Sequence, residues 1–198
     1  MKYVFASVCL LALVVVAQGA ATWDARMALD EAVKLEVTLD AQGQMSEIEY
    51  HVDPSTMPQH IKDAMTKAFP GKTVNITAGE KEHVDGVLHY ELSAEIDGME
   101  YEAMFTESGQ PHVWEIQVKQ GVVPPKVVQA IQGRYPGADL TKVVWEKIVY
   151  GGDPNGDPSE YHVKVPFQGK NYKVVLAPTG YVVDTFREIP AEIEVPVR

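Results

Sequence analysis

The spacing of apolar residues predicts an amphipathic helix that occurs twice in the chain. In MPQHIKDAMTKAFPG, residues 57–71, the side chains of Ile61, Ala64 and Met65 recur at helical spacing. The stretch VPPKVVQAIQGRYPG, residues 123–137, repeats this plan 66 positions later. An aromatic residue, a proline and a glycine end both copies, because proline moves the preceding residue out of the helical region and glycine permits a turn. The chain is therefore organised around a repeated unit.

Alternating apolar and polar residues after each helix predict antiparallel strands. Four segments alternate in this way: residues 90–96 and 101–105 after the first helix, and residues 161–165 and 172–176 after the second. Short turns at Asp97–Gly98 and at Gln168–Gly169 join the members of each pair. Residues 33–52 have the pattern of a further hairpin. The predicted fold is α+β, with two tandem helix-plus-three-strand repeats, helices packed on one side of an antiparallel sheet, and a β-hairpin in front.

The first 20 residues are typical of a secretory signal peptide, with Lys2, an apolar run and then small residues. The run is short for a membrane span, and an uncleaved anchor is the alternative. Cys9 is the one cysteine and lies in this segment, so the mature chain would use neither disulfide nor thiolate chemistry. We expect a periplasmic or secreted protein with four parts: a signal peptide at 1–20, an N-terminal segment and hairpin at 21–55, and repeats at 56–120 and 121–198.

Charge divides the chain into an acidic part and a balanced part. The formal net charge is -11; residues 20–120 hold 19 acidic and 7 basic residues, and residues 121–198 hold 9 of each. This balance disfavours a nucleic-acid partner. By strand alternation, one face of the predicted sheet carries the candidate partner-binding residues Glu91, Glu95, Glu100, Glu102, His162, Lys164 and Lys173. A solvated face that charge keeps soluble is the alternative interpretation.

The repeated unit resembles the PepSY-like family, which is related in fold to beta-lactamase-inhibitor proteins. The residues that carry the resemblance are Pro58, Ala64, Phe69, Pro70, Gly71, Pro124, Ala130, Tyr135, Pro136 and Gly137, with the hairpin signatures IDGMEYEAMFTESGQ and FQGKNYKVVLAPTGY. It extends over residues 33–188. The resemblance implies two α-plus-β repeats, an extracytoplasmic location and a role in binding or inhibiting proteins, often peptidases. It brings no catalytic residues.

The sequence offers little for catalysis or for a bound group. It lacks a GxSxG elbow and a glycine-rich phosphate loop after a strand, and its six histidines are scattered. Asp153, Asn155, Asp157 and Ser159 place oxygens at alternate positions, as a calcium loop would, but Gly156 stands at the fourth loop position instead of the sixth and Lys164 at the twelfth. An ordinary exposed loop is favoured there. We therefore predict no enzyme activity, no cofactor and no metal site.

These observations together predict a secreted, non-enzymatic module that binds an extracytoplasmic protein or peptide. Inhibition of a peptidase or of another enzyme is one form that the binding could take. The alternative is an extracytoplasmic cation-binding protein that holds calcium in the Asp153–Glu160 loop or across the acidic half. We expect no nucleic-acid partner and no stable membrane span after signal cleavage.

Overall fold

The structure is a computed structural model and describes residues 31–43, 45–84 and 87–190. Its strands are β1 Ala32–Leu39, β2 Met45–Val52, β3 Asn75–Val84, β4 Val87–Ile96, β5 Met99–Thr106, β6 Pro111–Val118, β7 Val144–Tyr150, β8 Glu160–Phe167, β9 Lys170–Leu176 and β10 Val182–Glu188. Helix α1, Gln59–Lys67, lies between β2 and β3, and helix α2, Pro125–Arg134, lies between β6 and β7. No helix of this described part is long and apolar enough to cross a membrane. The predicted signal peptide at 1–20 lies outside it.

All ten strands form one antiparallel sheet in which each strand pairs with its neighbour in sequence. The predicted fold of two helix-plus-three-strand repeats behind a hairpin is therefore wrong. Each helix is followed by four strands, and β6 pairs with β7 across the position where the second repeat was predicted to begin. The described chain is mostly sheet, and its two α-helices pack against it.

The strand that directly follows each helix is the one that the alternation pattern does not reveal. In β3 a register shift between Ile76 and Ala78 interrupts the alternation. In β7 apolar side chains are buried on both faces, as Ile148 and Val149 show. A strand buried on both faces has no period of two in its sequence. These two strands are why the sheet is larger than predicted.

The predicted turns have the expected backbone geometry. Asp97 and Gly98 have φ values of 53° and 75°, and Gln168 and Gly169 have φ values of 50° and 72°. Two consecutive residues with positive φ define the turn that matches the twist of a hairpin. The residues of these two turns therefore determine the β4–β5 and β8–β9 connections by themselves.

The hydrophobic core lies between the helices and one face of the sheet. Ile61 and Met65 of α1 are buried in one cluster with Trp114 of β6, and Val127 and Ile131 of α2 are buried in a second cluster. Val118 at the end of β6 packs against both clusters, so both helices cover the same face. Each such aliphatic side chain contributes about 1.5–3 kcal/mol through the hydrophobic effect. The other face of the sheet is left without a helix in the described residues.

The aromatic residue that ends each helix is part of this core. Phe69 makes edge contacts with Tyr101 and Trp114, with ring centroids 4.9 and 5.6 Å apart, and Tyr135 contacts Phe167 and Tyr172 at 5.4 and 5.2 Å. Each pair of contacts joins the end of a helix to the sheet beneath it. The aromatic-Pro-Gly stop thus anchors the helix as well as ending it.

Candidate functional site

The face of the sheet opposite the helices carries a continuous band of ionisable side chains. The strand register places Glu49 beside Glu82, Glu80 beside Glu91, Ser93 beside Glu102, and Lys164 beside Lys173, all pointing away from the helices. We call this surface the charged face. Its ionisable members include Glu36, Glu49, His51, Glu80, Glu82, Glu91, Glu95, Glu100, Glu102, Glu115, Glu146, His162, Lys164 and Lys173.

The seven residues predicted for partner binding all lie on the charged face. Glu95 and Glu100 are opposite each other near the β4–β5 turn and are exposed, whereas Glu91 and Glu102 are half-buried. His162, Lys164 and Lys173 are half-buried on β8 and β9. The structure thus gathers them on one surface, with the exposed pair at one end. Their role in binding stays a prediction.

Two basic residues of this face, Lys164 and His162, are paired with carboxylates. Lys164 Nζ lies 3.0 Å from Glu146 Oε1. His162 Nδ1 lies 2.9 Å from Glu115 Oε1, and His162 Nε2 lies 3.3 Å from Glu160 Oε1. The second half of the face is therefore electrically balanced instead of basic.

Opposite charge lowers the pKa of the carboxylate at the centre of this balanced part. Burial by itself would raise the pKa of Glu115, but Lys173, His162 and Lys164 outweigh it and hold that pKa well below its usual range. For His162, burial opposes the charged imidazolium, yet hydrogen bonds with Glu115 and Glu160 raise its pKa. These groups form a network of charges that compensate one another.

The carboxylates of β2 to β5 have much less compensation. Burial, together with neighbouring carboxylates, raises the pKa of Glu49 to about 7, of Glu80 to about 8 and of Glu102 to about 7. Glu82 is only 4% exposed, and burial together with Glu47 raises its pKa to about 9. Burial and the surrounding glutamates also raise the pKa of Glu91. This half of the face holds more carboxyl groups than it has cations to pair with them, and the raised pKa values mean that several of these groups keep their protons near neutral pH.

The charged face is concave. The Lys173 ammonium on β9 interacts with the Glu49 carboxylate on β2, and the interaction lowers the pKa of Glu49 against the effect of burial. Seven strand spacings separate β2 from β9, about 34 Å in a flat sheet, and charges that far apart are screened because the Debye length is about 8 Å. The sheet must therefore curve around this face, with the helices on its convex side.

Sequence reasoning missed half of this site. Glu49 and Glu80 lie on β2 and β3, to one side of the predicted residues. Glu115 and Glu146 lie between the predicted residues, on β6 and β7, and pair with His162 and Lys164. The sequence does contain a pattern for part of the missed residues, because Glu47, Glu49 and His51 alternate along β2. What the sequence did not show is the pairing of β6 with β7, which brings Glu115 and Glu146 beside β8.

The Asp153 loop is a closed turn. Asp153 Oδ1 accepts hydrogen bonds from the backbone nitrogen of Asn155 at 2.9 Å and from its side-chain amide at 3.1 Å. The Lys147 ammonium donates to the carbonyl oxygen of Pro154 at 3.4 Å. Asp153 Oδ1 and the Pro154 carbonyl oxygen already have donors, one of them a cation, and this geometry favours the ordinary-loop interpretation over calcium coordination.

Comparison with known proteins gives a likeness of fold. No family profile and no curated protein match the chain. A DUF2874 family protein from Bacteroides uniformis ATCC 8492 has 18% sequence identity and a TM-score of 0.50, over 66% of this chain and 89% of that one. A protein from Bacteroides eggerthii DSM 20697, provisionally assigned to the periplasm, has 15% identity and a TM-score of 0.51, over 66% and 88%. A BLIP-like protein from Bacteroides fragilis NCTC 9343 has 23% identity and a TM-score of 0.49, over 74% and 99%.

The first two likenesses, at such low identities, show the fold alone. None of the three structures is described as an enzyme. The predicted PepSY-like resemblance stays a prediction, because no family profile matches.

Proposed function

We propose that this protein is a non-enzymatic, extracytoplasmic binding module whose concave charged face takes a protein or peptide that presents lysine or arginine side chains. The observation that carries the proposal is the excess of carboxylates on β2 to β5. The pKa values of Glu49, Glu80 and Glu102 are raised to about 7 or 8, because the fold buries these carboxyl groups and places them close to other carboxylates. A cationic partner would relieve both costs.

The shape of the face supports a macromolecular partner. The helices cover the other side of the sheet, and the charged face carries no helix in the described residues; its exposed predicted carboxylates are Glu95 and Glu100, near the β4–β5 turn. Charge complementarity over such a surface steers association and selects among partners. The signal-peptide pattern and the provisional periplasmic assignment of the Bacteroides eggerthii neighbour support an extracytoplasmic location. Inhibition of an enzyme is a consequence to be tested once the partner is known.

Capture of partners from the extracytoplasmic extract of the host tests this proposal. The unmodified protein is compared with the double variant Glu95→Lys/Glu100→Lys, which reverses two exposed charges of the face. The control is Asp63→Lys/Glu107→Lys, which makes the same change of charge at exposed positions on α1 and on the β5–β6 turn. The proposal expects a partner that low salt retains, moderate salt releases, and the first variant alone loses. Equal retention by both variants would contradict the assignment of the face.

A further inference from the structure

Three potential metal ligands meet at the β1–β2 edge of the charged face. Glu36 of β1 pairs directly with Glu49 of β2, and His51 follows two residues later on the same face. One ligand atom from each of these side chains lies within 4.8 Å of the other two. This cluster combines an imidazole with two carboxylates. It is separate from the seven residues predicted for partner binding.

A fourth side chain lies against the imidazole. His51 Nδ1 lies 2.9 Å from Glu80 Oε1 on β3, and His51 Nε2 lies 3.1 Å from Glu36 Oε1. When Nδ1 carries the hydrogen and donates it to Glu80, the lone pair of Nε2 is directed into the cluster. Histidines that bind metals in proteins are commonly held in this way, with the second nitrogen donating to a carboxylate. The Glu80 carboxylate is itself only 12% exposed, which limits its movement.

We propose that Glu36, Glu49 and His51 bind a divalent first-row transition-metal ion such as Zn²⁺, with Glu80 as the residue that positions His51. The donor set decides the class of ion, because imidazole suits zinc, nickel and copper, whereas calcium and magnesium take oxygen ligands. Zinc ligands lie about 2.0–2.2 Å from the ion, so two of them are at most about 4.4 Å apart. Glu36 is 48% exposed and can move the remaining distance.

The ammonium of Lys34 is the natural competitor for this site. Lys34 lies opposite His51 in the strand register and pairs with Glu36, so the ion must displace it. The chain also offers a matched comparison. His162 likewise lies between two carboxylates, and Lys173 opposes the charge of its imidazolium as Lys34 opposes that of His51; Lys173 is half-buried and held in place, however, whereas Lys34 is exposed and can move away from a dication. Metal binding should therefore depend on His51 and not on His162.

Isothermal titration of the purified protein, without a histidine tag, with Zn²⁺ and separately with Ca²⁺ tests the inference. We expect one Zn²⁺ per chain, with affinity at least tenfold weaker in His51→Ala and in Glu49→Gln. Glu80→Gln should weaken binding about tenfold, as loss of a positioning partner does. Lys34→Ala should tighten it, and His162→Ala should leave it unchanged. Circular dichroism confirms that each variant is folded.

Two results would overturn the inference. The first is zinc affinity that is unchanged by His51→Ala in a folded variant. The second is absence of one-to-one zinc binding in both the unmodified protein and Lys34→Ala, the variant that removes the competing cation without touching a ligand. Nitrogen-15 spectra of His51 give an independent readout, since coordination through Nε2 shifts that nitrogen and leaves Nδ1 protonated. Equal effects of Zn²⁺ and Ca²⁺ on these spectra would also contradict the proposed donor set.

Discussion

Lys173 on β9 interacts electrostatically with Glu49 on β2, although seven strand spacings separate the two strands in the sheet. The interaction is possible only because the sheet curves around its charged face. Curvature turns a row of glutamates into a surface where each carboxylate feels several others. This crowding affects how the stability of the protein depends on pH.

The crowded carboxylates predict that the protein is more stable in mild acid than in mild base. The pKa values of Glu49, Glu80 and Glu82 are raised to about 7, 8 and 9 in the folded protein, from about 4.5. A folded state that binds protons more tightly loses stability as pH rises from about 4.5 through those values. His162, whose pKa is also raised, acts in the same direction, and His51, whose pKa is lowered, opposes it below about pH 6.5.

Urea unfolding at pH 5.5 and at pH 8.5 measures this effect, with the higher free energy of unfolding expected at pH 5.5. Glu82→Gln mimics the protonated carboxyl and should reduce the difference, mainly by raising stability at pH 8.5. Glu107→Gln, at an exposed turn position, is the control. Equal stability at the two pH values would show that the carboxylates are not crowded as described.

Removal of the Lys164 cation should destabilise the protein. Glu146 is 7% exposed, and its Oε1 has Lys164 Nζ at 3.0 Å. Lys164→Met leaves a buried carboxylate without its cation, which costs about 1–2 kcal/mol once the partial exposure of the lysine is taken into account. Lys170→Met, at an exposed position of the β8–β9 turn, should change the free energy of unfolding by less than about 0.5 kcal/mol. Equal effects of the two variants would contradict the pairing.

The aromatic anchors of the helices should be essential for stability. Phe69 is buried and makes edge contacts with Tyr101 and Trp114, so Phe69→Ala removes packing that nothing nearby replaces. Loss of a buried phenylalanine costs about 3–5 kcal/mol. Denaturant unfolding should show a loss in this range, with Met99→Ala, at an exposed hydrophobic position, as the control. A loss below 1 kcal/mol would mean that the end of α1 is not anchored through Phe69.

Two glycines with the same left-handed backbone should respond differently to alanine. Gly169 has a φ of 72° with open space around it, whereas a Cβ at Gly180, φ 83°, would lie 2.5 Å from the carbonyl oxygen of Lys126 in α2. Both variants incur the left-handed cost of about 1–2 kcal/mol. Gly180→Ala should lose a further 1–3 kcal/mol or so through overpacking. Equal losses in thermal or urea unfolding would show that the β9–β10 turn does not press on α2.

The features that could be predicted are those that short segments decide. The helix stops at Phe69 and Tyr135 and the turn at Asp97–Gly98 depend on neighbouring residues alone, and the structure has them. The alternation pattern did not predict strand β3, because a register shift breaks its alternation. It did not predict β7 either, because both faces of that strand are buried. The division into parts at residues 56 and 121 stays a prediction.

The composition of the charged face could be predicted only in part, for the same reason. Glu91 and Glu102 follow from alternation in single strands. Neutralisation of Lys164 by Glu146 depends on the register between β7 and β8, which no local pattern fixes.

The decisive measurement is the association rate of the captured partner with the unmodified protein and with the two double charge variants, at low and at moderate salt. Charges at the rim of an interface act chiefly on association rate and on its salt dependence. If the charged face is the binding surface, Glu95→Lys/Glu100→Lys should slow association at least tenfold at low salt and remove most of the salt dependence. Asp63→Lys/Glu107→Lys should leave both unchanged. An association rate that the first variant does not slow, or that both variants slow equally, would contradict it.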